Sequence, residues 1–103
     1  MARYLVLWKA NPAVWPADPK QALAIIEGAE AGGDMLLQSG GAEEIGWLTA
    51  ESGFAIFQAD SKATVLGAVQ PFFPFYSQEI HEIVPWKDAT AALLASARMM
   101  ASR

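Results

Sequence analysis

A single α+β domain with the element order β-α-β-β-α-β is the fold class this sequence predicts, and three observations predict it. Two apolar runs built from strand-forming residues, 4–8 and 53–59, are each followed by a helical stripe with a capping residue at its start. Two further runs, 43–49 and 76–84, carry Glu43, Glu44, Gln78, Glu79 and Glu82 and read as strands at a polar boundary. At 103 residues and 11.1 kDa there is room for one domain, residues 1–103, with one core and no internal repeat or linker.

The elements follow in order. Tyr4-Leu-Val-Leu-Trp8 is apolar on both alternating faces, as a fully buried strand requires. Asn11-Pro12 and Trp15-Pro16 impose an extended, turn-rich connection. Asp18 before Pro19 starts a helix, with a carboxylate cap and a proline where no N–H is needed. Ala22, Ile25, Ile26, Ala29, Gly33, Leu36 and Leu37 fall on one stripe, with Glu27, Glu30 and Asp34 off it. The Gly32-Gly33 pair is a candidate break in this helix, and Gly40-Gly41 ends it. Strand two leads through Ala50-Glu-Ser-Gly53 into strand three, a hairpin. Asp60-Ser61 caps a short helix that Pro71 and Pro74 close. Strand four stops at Pro85, and Asp88 or Thr90 caps a C-terminal helix carrying Leu93, Leu94, Ala97 and Met100, an extension over about 86–103.

Two β-α-β halves joined by a hairpin give the split βαβ, ferredoxin-like arrangement with a four-stranded antiparallel sheet. Strands one and three are then central, strands two and four edges. Two helices cover one face of such a sheet. Because both central strands are apolar on both faces, the other face needs a cover, and a second copy of the chain supplies it. The stretch Gly53-Phe-Ala-Ile-Phe57 is similar to the third strand of RNA-recognition motifs, a likeness that implies Ala55, Phe57 and Ala59 toward the helices and Phe54, Ile56 and Gln58 toward the open face.

The stretch Gly53-Phe-Ala-Ile-Phe-Gln-Ala-Asp-Ser61, a short helix, Pro71-Phe-Phe-Pro-Phe-Tyr76 and a Glu-rich final strand resemble the dimeric α+β barrel superfamily. Within it they are similar to muconolactone isomerase and small proteins related to it. Element order matches over roughly residues 3–85, and the segment from Trp86 onward lies outside the match. The resemblance implies a homodimer whose sheets pack into a barrel around a pocket. It implies no single reaction, because the superfamily holds isomerases, cofactor-free monooxygenases, haem-handling enzymes and ligand-sensing modules.

Few residues carry chemistry. His81 is the only histidine, and Glu79 is its same-face neighbour two positions back on the strand. A carboxylate at that spacing favours the imidazolium, which suits a proton-transfer pair with His81 as acid/base and Glu79 orienting it. The plainer reading is two solvent-facing side chains on an edge strand. Trp8, Trp47, Phe54 and Tyr76 are candidate walls for a flat apolar or aromatic ligand, with Gln58 and Asn11 as polar groups at strand ends. The plainer reading is packing for the four aromatics and satisfied backbone groups for Gln58 and Asn11. A catalytic isomerase-like or monooxygenase-like function and a non-catalytic sensing or dimerisation module therefore both stand.

Several classes are disfavoured. The chain is 53% hydrophobic, which excludes a disordered segment. Net charge is −4 and its seven basic residues, the last of them Arg103, are scattered, which opposes nucleic-acid binding despite a likeness of 53–57 to an RNA-recognition strand. There is no cysteine, and one histidine without spaced partners signals neither a metal site nor a haem ligand set, so no cofactor is expected. The apolar run at the N-terminus is too short for a signal peptide and no stretch approaches a membrane span, so a cytoplasmic protein without membrane contact is expected.

Overall fold

In the computed structural model, which describes residues 1–102, four strands and three helices form an α+β fold. The strands are β1 (Ala2–Ala10), β2 (Ala42–Trp47), β3 (Ser52–Ala59) and β4 (Tyr76–Ile83). The helices are α1 (Pro19–Ser39), α2 (Lys62–Val69), followed by a 3₁₀ turn at Gln70–Phe72, and α3 (Trp86–Ala101). Arg103, the last of the scattered basic residues and the end of the expected extension, lies outside the described residues.

All pairings in the sheet are antiparallel and the order is β2-β3-β1-β4, so the two apolar strands are central. This order is compatible with the ferredoxin-like arrangement. The facing expected of β3 holds: Ala55, Phe57 and Ala59 are buried with Tyr4 and Val6 of β1 and Val65 and Val69 of α2, and they form the core. Leu5, Leu7, Phe54 and Ile56 alternate onto the other face, where no helix lies, and stay half-buried.

The caps of α1 and α2 form as the sequence directs. Asp18 accepts from the Lys20 N–H at 3.1 Å, and Ser61 accepts from the Thr64 N–H at 3.3 Å. Gly40 closes α1 in the left-handed region at φ 79°, a conformation few other residues adopt without strain.

Two expectations need correction. Gly32-Gly33 does not break α1, which runs unbroken for 21 residues. The pair is instead where α1 touches its neighbours: a Cβ at Gly32 would sit 3.0 Å from the Phe72 ring, and one at Gly33 would sit 3.6 Å from Ile45. Close approach explains Gly32, whereas the space at Gly33 would accept a methyl in ordinary contact. The C-terminal helix starts two residues earlier than Asp88, at Trp86, with Pro85 at its cap and no side-chain capping bond.

α3 also fails to return to the body. None of its residues is buried and it packs on no other element to any extent. The molecule is 63 Å long, and its radius of gyration of 17.6 Å exceeds the ~13 Å of a compact chain of this size. Among the described residues no helix is long and apolar enough to cross a membrane.

Candidate functional site

Every second residue of β1 points at α1, and across the sheet its register brings Trp47, Gly53, Trp8 and Gln78 into one row. Gly53 has no side chain, so the Trp8 indole lies over it: a Cβ there would fall 2.2 Å from Trp8 Cζ2. The neighbouring tryptophan closes on it, with Trp8 and Trp47 rings meeting edge to face at 4.8 Å between centroids. Tyr76 stands perpendicular to Trp8 at 5.5 Å, and Trp15 perpendicular to Tyr76 at 5.6 Å. The result is a continuous aromatic corner of the geometry aromatic pairs prefer.

α1 leans on Phe72 and Ile45 through its glycines, and buries none of its own residues fully. Between its inner side and the aromatic corner lies a cleft of about 310 Å³. Its floor is Val6, Ala55 and Phe57 of the sheet, its aromatic end is Trp8, Trp47 and Tyr76, and its α1 side offers Ile26 and Leu37 with Glu30 and Asp34. Gln78 projects into the same space. Past Ile26, Trp47 and Tyr76 the cleft continues into a second depression bordered by Pro12, Trp15 and Glu51. No basic residue is among the described residues lining either space. Burial raises the Tyr76 phenol above its usual value, so it is a neutral phenol across the neutral range.

The sequence-derived site residues thus divide between the two faces of the sheet. Trp8, Trp47 and Tyr76 come together in the cleft. Phe54, Gln58, Glu79 and His81 lie on the open face, with the sheet between them and the cleft. His81 and Glu79 do meet, Nε2 to Oε2 at 3.3 Å, with side chains 58% and 71% exposed. Gln58 donates to Glu43, whose carboxylate also accepts from the Arg3 guanidinium at 2.9 Å. Asn11 ties the end of β1 to the segment before β4, its amide donating to the Pro74 carbonyl at 3.3 Å and its Oδ1 accepting from Ala13 N–H at 3.1 Å. It satisfies backbone groups, which is its plainer reading.

Arg3 and Gln58 hold the Glu43 carboxyl below the usual carboxylate range, mainly through the Arg3 hydrogen bond. A depressed folded value makes this cluster stabilising above the ordinary glutamate range of about 4.3, and the contribution is lost as pH falls through the lowered value. Carbon-detected NMR titration should therefore find Glu43 titrating below the ordinary glutamate range, and Arg3→Ala should move it up toward that range. An unchanged midpoint in that variant would remove the ion pair from solution.

Sequence reasoning missed Trp15, Ile26, Glu30, Asp34, Leu37 and Gln78. Trp15 was legible only as part of a turn, and the α1 residues only as one helical stripe and its polar flank. A tryptophan between two prolines was the one available signal that this connection covers something. No protein-family model matches the chain, and no curated protein matches it either. Among the described residues no cluster of His, Asp and Glu is placed to hold a metal ion.

Proposed function

We propose that this chain binds a small, flat, largely apolar or aromatic molecule in the cleft between α1 and the sheet, and that it does so as a homodimer packed through the open sheet face. The observation that carries the binding reading is the perpendicular set Trp8, Trp47 and Tyr76 at the end of a cleft whose floor is apolar and whose α1 side mixes apolar residues with Glu30 and Asp34. Such a lining, with a few polar groups at its edge, is the general form of small-molecule sites. Glu30 and Asp34 at the edge, with no basic residue opposite, favour a neutral or cationic ligand over an anion.

The dimer reading rests on Leu5, Leu7, Phe54 and Ile56, an apolar patch at the centre of the open face that nothing in the protomer covers. It fits the ferredoxin-like, dimeric α+β barrel likeness of the sequence. The muconolactone-isomerase-like reading, with His81 and Glu79 as acid/base pair, serves only a molecule held against the open face, because the sheet separates them from the cleft. The acidic edge also opposes a carboxylate substrate in the cleft. Ligand binding without chemistry is therefore the reading we favour.

The test is intrinsic tryptophan fluorescence during titration with a panel of neutral, cationic and anionic bicyclic aromatics. Neutral or cationic members should quench and bind, and anionic ones should not. Trp8→Ala should weaken binding at least about tenfold, the equivalent of 1.4 kcal/mol, while His81→Ala leaves it unchanged. If no member of the panel binds, or if His81→Ala alone abolishes binding, the cleft is not the site.

A further inference from the structure

We infer that α3 is an arm that docks along α1 of a second copy of this chain, across the mouth of the aromatic cleft. This rests on the two-copy reading above. The stripe on α3, Trp86, Leu93, Ala97 and Met100 with Thr90 between them, has the alternating three- and four-residue spacing of a helix made to pack on another helix. Its own protomer offers it nothing: Trp86 is 80% exposed, and Leu93 and Met100 are exposed as well. A helix of this length without tertiary contacts is marginal in water, since most helical stability in proteins comes from packing one face.

Charge selects the surface it packs on. Residues 1–84 hold four basic and ten acidic residues, whereas α3 holds Lys87 and Arg98 against Asp88 alone. Two arms side by side repel, while arm and body attract. Lys87 and Arg98 are about three turns apart and so share one flank of the stripe, with Asp88 on the far side. Neither is ion-paired among the described residues.

α1 presents the counterpart. Leu23, Ile26 and Leu37 are exposed along the side that borders the cleft, and Glu27, Glu30 and Asp34 are interleaved with them. The run from Leu23 to Leu37 is about 21 Å and α3 about 24 Å, so one helix spans the other. Apolar residues meet apolar residues, and the basic flank meets the acidic row. Docked there, the arm covers Ile26 and the exposed edge of Trp47, so each ligand site is completed by the other copy.

The absence of cysteine makes the test direct. Full-length chains carrying Leu94→Cys are mixed with chains carrying Leu23→Cys, oxidised, and their cross-linked peptides measured by mass spectrometry. Ala97→Cys with Ile26→Cys serves as a second pair, because a disulfide needs Cα atoms within about 7 Å. It probes the same register one turn on if the helices run parallel, and a different register if they run antiparallel. In one pair or both, the arm-to-α1 link should exceed the self-links at least tenfold, and adding Lys87→Glu with Arg98→Glu should reduce it at least tenfold. Dominant 94–94 links overturn the inference, since the arms then pair with each other. A dimeric mass by light scattering without arm-to-α1 links in either pair also overturns it and leaves the sheet-to-sheet dimer standing. A monomeric mass overturns both.

Discussion

Gly53→Ala is expected to cost at least about 3 kcal/mol, the upper end of what overpacking a well-fitted interior usually costs. The added methyl would lie 2.2 Å from the Gly46 carbonyl oxygen and 2.2 Å from Trp8 Cζ2. The first is backbone in a paired strand and cannot step aside without breaking the β2–β3 ladder. The second belongs to an indole already held between Trp47 and Tyr76. Gly46→Ala supplies the contrast. Its methyl meets only the Phe54 ring, at 2.5 Å, and Phe54 is a half-buried side chain on the open face that can rotate away. That variant should lose about 1 kcal/mol. In thermal denaturation the first should fall by roughly 15 °C and the second by roughly 5 °C, using the usual scaling for a domain of about 100 residues. Equal midpoints for the two would mean that the Trp8 indole does not rest on Gly53 in solution.

That glycine marks the boundary between what the sequence conveys and what it does not. Element order, caps, hairpin and strand centrality were legible because each has a local cause: Asp18 before Pro19, Ser61 before a helical run, and Gly53 to Ala59 apolar on both faces. The facing of β3 came instead from the likeness of 53–57 to an RNA-recognition strand, since a run apolar on both faces gives no contrast of its own. The location of the cleft was not legible. Tyr4, Val6 and Trp8 alternate with Leu5 and Leu7, so β1 gives no contrast between its faces, and the likeness to a sheet-to-sheet barrel placed every aromatic around one pocket. The parity of the sheet then separates Trp8 and Trp47 from Phe54, which no single residue announces. Gly32-Gly33 was undecided on the same principle. A glycine in a helix signals either a break or a close neighbour, and only the position of Phe72 decides which. The stripe on α3 was legible as a stripe, but its distance from the body was not, because no local pattern tells which surface a helix will reach.

Ile56→Asp is the substitution expected to change the assembly most. Ile56 sits opposite Leu5 on the open face, with Leu7 and Phe54 in the adjoining row and His81 beyond Leu5. In the protomer it is only half-buried, so a carboxylate there keeps access to water, at a cost of about 0.2–1 kcal/mol against Glu44 directly opposite on β2. In a sheet-to-sheet dimer the same carboxylate is shut into an apolar layer, twice over because a two-fold interface repeats every residue. An unpaired charge buried in this way costs about 3–5 kcal/mol per copy, so the pair raises the dissociation constant by roughly four to seven orders of magnitude. Light scattering across a concentration series should therefore find the unsubstituted chain at twice 11.1 kDa and Ile56→Asp at 11.1 kDa, with unchanged far-ultraviolet circular dichroism. A carboxylate at Lys62, exposed at the start of α2 on the helix side, should leave the dimer intact. If Ile56→Asp remains a dimer while Lys62→Glu does not, the copies meet through their helices, and the apolar centre of the open face requires a different partner.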